Sequence, residues 1–281
     1  MKKTIVIFKY LAINLFILGV FLVFPAQASD GTPKVANYYL KWEISDYETR
    51  ELAKWDVLIL DMEVQKNSPR QLEKIRELNP EIIILAYITS QETNADIYSS
   101  QWQRQATLRK KLVSGIEYSW WLKDTKGNRI SFWHGTYMLN LSTDCPVNSA
   151  GQTWATYLAD FMKQEVLSSG MWDGVFYDNI WPDVAWIRGD IDLGDGQMSI
   201  SNLNRSWVAG TKSMLQYTKQ ISPGIIIIGN GGISLTYQDS INGMMFENFV
   251  SPWESGGTWS GSMKTYDSLR KYNVQPQVVV K

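Results

Sequence analysis

Apolar residues in this chain gather in short unbroken runs separated by longer amphipathic stretches. The runs are 35–40 (VANYYL), 56–61 (DVLILD), 82–88 (IIILAYI), 137–141 (YMLNL), 174–178 (GVFYD), 225–230 (IIIIGN), 243–248 (GMMFEN) and 277–281 (QVVVK). Most lack polar alternation, the pattern of parallel strands covered on both faces. Helices are legible between several of them. Ser45-Asp46-Tyr47-Glu48 reads as a capping box, and Ser68-Pro69-Arg70-Gln71 as a second with proline at the first helical position. Leu72, Ile75 and Leu78 then share a face before Asn79-Pro80 ends the helix. The stretch 150–168 aligns Trp154, Leu158 and Phe161, and 201–221 aligns Leu203, Trp207, Met214 and Leu215. Strand alternating with helix predicts a parallel sheet, and eight strands predict a (β/α)8 barrel. An open doubly wound sheet is the runner-up, but no glycine-rich phosphate turn follows the first strand. The eighth strand reaches the last residue, which leaves two alternatives: a strand count off by one, or a barrel without its closing C-terminal helix.

Two connections exceed ordinary loop length. Residues 90–136 form an insertion after the third strand, with a polar helix expected over 96–112 and a hairpin in YSWWLKDTKGNRISFW that turns at Thr125-Lys126-Gly127-Asn128. Residues 180–200 carry Trp181, Trp186, Asp190, Asp192 and Asp195. The three aspartates invite a calcium reading, but their spacing departs from a calcium loop and no Glu closes it, so a solvated loop is expected.

Composition narrows the chemistry. Met1-Lys2-Lys3, an apolar stretch over 4–24 and Ala26-Gln27-Ala28 predict a signal peptide over 1–28, with a retained membrane anchor as the alternative. Either places the remainder outside the cytoplasm. Residues 29–281 match the ~250 residues of a single barrel domain. A net charge of −1 without any block of like charge argues against a nucleic-acid partner, and no obligate protein partner is indicated. His134 is the single histidine and Cys145 the single cysteine. A histidine zinc site, a serine triad and an intrachain disulfide are thereby disfavoured, and no metal or cofactor is expected. Hydrolysis would have to run on carboxylates. Thirteen Trp and fourteen Tyr suit a surface that stacks on the C–H faces of sugars.

Strand ends carry the acids. Asp61, Asp178, Asn230 and Glu247 close apolar runs, and Glu92 follows the third. In a parallel barrel these converge on one rim, where barrel enzymes keep their sites. Cleavage of a glycosidic bond needs one protonated carboxyl and one ionised carboxylate, so Asp178 is expected as nucleophile or base and Glu247 as general acid. Asp61, Glu92, Asn179 and Asn230 are candidates for sugar hydroxyls, and Tyr87, Trp121, Trp133 and Trp181 for aromatic contact. Gly229-Asn230-Gly231-Gly232 could bring backbone close to a ligand, although it lacks the dinucleotide fingerprint.

The combination of VANYYL, DVLILDME, ILAYITSQE, WWLKDTKGNRISFW and DGVFYDNIW resembles hypothetical glycosyl hydrolase family fifteen over nearly all of 35–281. It is more distantly similar to endo-α-1,4-polygalactosaminidase-like and α-galactosidase-like barrels. The resemblance implies a (β/α)8 barrel acting on polysaccharide. It also implies a nucleophilic aspartate at the Tyr177-Asp178-Asn179 strand end and an acid at the position of Glu247, where the α-galactosidase-like enzymes usually have aspartate. The competing reading is a catalytically inactive barrel that binds carbohydrate. A metal-dependent deacetylase or phosphoesterase is a third, and it lacks ligands.

Overall fold

A computed structural model describes residues 34–94, 96–99, 104–194, 196, 199–232, 235–250, 255–269 and 271. The expected signal peptide, Asp195 and the strand expected at 277–281 lie outside them. The chain runs through β1 (Ala36–Tyr39), α1 (Asp46–Leu52), β2 (Val57–Asp61), α2 (Val64–Asn67), α3 (Pro69–Leu78), β3 (Ile83–Thr89) and the short β4 (Glu92–Thr93). It continues through α4 (Thr107–Ser114), β5 (Lys123–Asp124), β6 (Tyr137–Met138), α5 (Trp154–Phe161) and β7 (Gly174–Asp178). Last come β8 (Ile191–Asp192), α6 (Ile200–Ile221), β9 (Ile226–Gly229), β10 (Gly243–Met244) and α7 (Trp259–Leu269).

Six strands form one sheet in the order β1-β2-β3-β7-β9-β10, and every pairing in it is parallel. Because side chains alternate along a strand, each strand splits its apolar residues between two faces. Leu58 and Leu60, Ile84, Ala86 and Ile88, Val175 and Tyr177, and Ile227 join the large core that also holds Leu72, Trp154, Leu158 and Trp207 of the helices. The opposite parity, Val57 and Ile59, Leu85 and Tyr87, Phe176, Ile228 and Met245, forms a separate small cluster on the inner face. The runs are apolar throughout because both faces are covered.

The helix reading holds where the sequence supplied local chemistry. Ser45 and Glu48 close the capping box of α1, and Pro69 opens α3. Ser68 departs from expectation: its hydroxyl accepts from the Ile44 backbone N–H at 3.0 Å rather than capping α3. Of the polar helix expected over 96–112, the described residues show helix only in α4, which runs on to Ser114, and the helix expected over 150–168 passes from α5 into a π turn at 162–166.

The fourth expected strand is a correction. Residues 137–141 are not in the main sheet, where β3 pairs directly with β7. Instead β6 pairs antiparallel with β4, while Met138 receives from Leu122 N–H and donates to Ile130. Leu139 donates to Gln91 O at 2.7 Å. The expected hairpin is present, with Asp124 and Asn128 facing across its turn, and its arm β5 pairs with β8 of the second insertion. β4 and the hairpin, both in the first insertion, have claimed the two edges of 137–141. An apolar run shows that a segment is buried; it does not show which neighbour buries it.

Candidate active site

The inward parity of the sheet carries polar groups to one rim. Beyond Phe176 on β7 comes Asp178; beyond Ile228 on β9 comes Asn230; beyond Met245, just past β10, comes Glu247. All three line a cleft of about 710 Å³ together with Tyr87, Glu92, Trp133 and Asn179. Seven of the ten residues singled out from sequence therefore meet there. Ala36, Asn37, Tyr38, Trp55 and Met245 complete the lining. Tyr38 was legible in principle, since it shares the inward parity of β1 with Ala36 and Leu40.

Asp178 is the best-held acid. Its Oδ2 accepts the Tyr87 hydroxyl at 2.7 Å, and its Oδ1 accepts Asn230 Nδ2 and its neighbour's backbone N–H, both at 2.9 Å. Burial pushes its pKa up; the bonds from Tyr87, Asn230 and Asn179 push back, and the charge of Glu247 adds to the rise. Burial also raises the pKa of Tyr87, next to the charge of Asp178, so that hydroxyl stays a donor at any working pH. Tyr38 hydrogen-bonds Tyr87 behind it.

Asn230 joins the two proposed catalytic groups. The same Nδ2 lies 3.4 Å from Glu247 Oε2. Its position is set by a crossing of backbones. Asn230 N–H donates to Tyr177 O at 3.0 Å, and Ile180 N–H donates to Asn230 O at 2.7 Å. Gly231, at φ +133°, lies so near that an added Cβ would stand 2.5 Å from Ile180 N. Gly229 and Gly231 thus pack against Ile180 just past β7, and this close approach places Asn230 beside Asp178.

Glu92 is a third carboxyl with a different environment. Its oxygens accept Asn179 Nδ2 at 2.8 Å and Thr136 Oγ1 at 2.9 Å, and it is 3% exposed. Burial pushes its pKa to about 7, with Thr136 and Asn179 pulling down and the Asp178 charge pushing up. Asn179 adopts φ +61°, a conformation that asparagine tolerates better than most residues, and so turns its amide to Glu92 while its N–H stays on Asp178.

Three expected site residues lie elsewhere. Asp61 is 1% exposed and is not among the cleft's lining residues; Arg109 donates to both its oxygens at 2.7 Å and Glu63 N–H to one of them at 2.9 Å. Trp121 is 7% exposed and lies under the Arg129 guanidinium at 4.5 Å. Trp181 packs edge-on against Phe132 and is not among the cleft's lining residues. Cys145 is buried, which pushes its thiol up to about 11 and keeps it from acting as a nucleophile near neutrality. Asp192 accepts the N–H groups of Gly194 and Gly196, and Asp190 pairs with Arg188. Among the described residues, no group of three or more His, Cys, Asp or Glu is placed to hold a metal ion.

A parallel α/β sheet with paired acids at one rim has the layout of a barrel-type glycoside hydrolase. The chain belongs to hypothetical glycosyl hydrolase family 15, whose model matches residues 76–281, and membership places it in the glycosidase class. Among solved structures it is similar in fold to the glycoside hydrolase domain of PelA from Pseudomonas aeruginosa. That match has 15% identity and a TM-score of 0.54, and covers 88% of this chain and 83% of that one. A substituted form of the same domain matches at 14% identity and the same TM-score, with coverage again 88% and 83%. An α-galactosidase from Thermus thermophilus in complex with stachyose matches at 13% identity, covering 88% of this chain and 55% of that one; its TM-score of 0.46 is too low to bear on the fold. No curated protein sequence matches.

Proposed function

We propose that this protein is an exported glycoside hydrolase that cleaves O-glycosidic bonds of a polysaccharide, with Asp178 as nucleophile and Glu247 as general acid. The reading includes export through residues 1–28 and closure of the sheet into a complete (β/α)8 barrel. The observation that carries it is the Asn230 amide, 2.9 Å from one acid and 3.4 Å from the other. Two oxygens within reach of one nitrogen sit closer than the ~6.5–9.5 Å spacing in which an inverting pair houses its water. That favours retention. Asp178 attacks the anomeric carbon while Glu247 protonates the departing oxygen; Glu247 then takes a proton from the water that releases the glycosyl group.

Glu92 competes for the acid role, because a carboxyl titrating at about 7 suits a proton donor. Access decides against it. Glu92 is walled in with its oxygens on Asn179 and Thr136, whereas Glu247 is exposed and able to meet a leaving group. Glu92 instead holds Asn179, and Trp133 offers a stacking face at the mouth. An ionised Asp178 and, among the described lining residues, no Lys, Arg or His leave a polyuronate without a counter-charge in the cleft.

The experiment is release of reducing ends from neutral, amino-sugar and uronate polysaccharides by the purified protein. Cleavage of at least one chain, lost in Glu247→Gln, is expected. Binding without cleavage by the unaltered protein would favour the inactive carbohydrate-binding barrel.

A further inference from the structure

Phe132 sits at the centre of an aromatic group outside the catalytic acids. Its ring meets Trp133, Trp181 and Trp186 edge-on, with centroids 5.1, 4.6 and 5.3 Å away. Trp181 and Trp186 also meet each other at 5.0 Å. Interplanar angles of 78°, 78°, 86° and 70° make every contact edge-to-face, so that each one covers at most one face of one ring of the pair. Trp133 is 58% and Trp186 56% exposed, although Trp120 and Trp121 on the same hairpin are buried.

Large rings left open need a reason, since covering them against the core was available to their neighbours. These faces are also held in place without any ligand. The hairpin and the 180–200 segment are tied together by the β5–β8 pairing, by Thr125 N–H on Asp190 O at 3.0 Å, and by Arg188 on Asp124 at 3.2 Å. Arg188 is further occupied by Asp190 at 2.7 Å, so an anionic ligand gains little from it. Trp133 belongs both to this group and to the cleft lining, which makes the surface continuous with the site. A flat, rigid, uncharged aromatic surface matches the C–H face of a pyranose ring, and its position selects a chain already threaded through the cleft.

We propose that Trp133 and Trp186, clamped through Phe132 and Trp181, form a stacking platform outside the catalytic acids that holds further pyranose units of an uncharged polysaccharide. The platform rests on the glycosidase reading. It makes affinity depend on chain length, because Trp186 is not among the cleft's lining residues and is met by units beyond it.

The test uses Asp178→Asn protein, so that no chain is consumed. Retention is measured in gels containing dextran, pullulan, galactan, mannan, xylan or chitosan, with polygalacturonate as the anionic control. Affinity for a trisaccharide of whichever polymer is retained follows by calorimetry. Adding Trp186→Ala should weaken polymer binding about five- to ten-fold, the scale of one aromatic contact, and leave the trisaccharide unchanged. Trp186→Tyr should restore most of the loss, and Phe132→Leu, which frees the clamp without removing an exposed tryptophan face, should reproduce part of it. Unchanged polymer binding in Trp186→Ala, or equal losses for polymer and trisaccharide, overturns the platform. Intact cleavage by the unaltered protein with Trp186-independent retention removes the platform and leaves the glycosidase reading. Trp186-dependent retention without any cleavage does the reverse. Retention by no polymer overturns the platform, and only the absence of cleavage by the unaltered protein as well overturns the glycosidase reading.

Discussion

Two groups of acids stand at strand ends of the same sheet, and they have different fates. At the end of β2, Asp61 is gripped by the Arg109 guanidinium through two bonds of 2.7 Å, and just beyond it Glu63 accepts the N–H groups of Leu108 and Arg109 in the first turn of α4. Those carboxylates cap a helix and neutralise a cation. At the end of β7, Asp178 meets only a phenol and amides; burial raises the proton affinity of Asp178 and Glu92, as it does that of Glu63, but among the described residues no cation faces them. The topology delivers an acid to the rim in both cases. Whether a cation meets it there decides between scaffold and chemistry.

The contrast can be broken most severely at Asp178. Asp178→Asn should reduce turnover by ~10³-fold or more, as loss of a nucleophile does. Its melting midpoint should barely move, because the new amide oxygen still accepts from Asn230 and Asn179 while the Tyr87 hydroxyl can turn to accept. Arg109→Met tests the other group. It strands two buried acids and should cost about 3–5 kcal/mol in denaturant unfolding, with the folded fraction keeping its turnover. A cost of under ~1 kcal/mol would mean that the ion pair is not what holds the acids beyond β2.

Glu92→Gln sharpens the comparison through pH. In the fold Glu92 keeps its proton to about 7, whereas an unfolded glutamate releases it near ~4.3. Its contribution to stability is therefore complete below the unfolded value and is lost as pH rises through about 7. Between pH ~4.5 and ~7.5 the unaltered protein should lose roughly 1–3 kcal/mol more than Glu92→Gln. Parallel curves for the two would contradict the environment assigned to Glu92. Tyr87→Phe has the smallest expected effect, about ten-fold in turnover for one bond to a charged group. It also raises the pKa of Asp178, so the acidic limb of the pH profile should move to higher pH.

How much of this was legible in the sequence depended on how local the cause was. The strands of the sheet could be read because doubly covered strands are apolar on both parities, and the α1 cap because Ser45 and Glu48 stand three residues apart. The gathering of Asp178, Asn230 and Glu247 followed from parallel strands ending on one rim. Long-range partners could not be read. Arg109, which removes Asp61 from the cleft, lies 48 residues away in an insertion. Residues 137–141 looked like a sheet strand because burial by β4 and the hairpin leaves the same apolar run. Trp121 and Trp133 look alike in sequence on the hairpin, but one lies under Arg129 and the other opens on the cleft.

The central claim is that Asp178 and Glu247 act as one unit on one bond, and a double-mutant cycle on a cleaved polysaccharide tests it most directly. If they form one unit, Asp178→Asn combined with Glu247→Gln should be slower than the slower single variant by no more than about ten-fold. Losses that multiply, or a single variant turning over near the unaltered rate, would contradict the account.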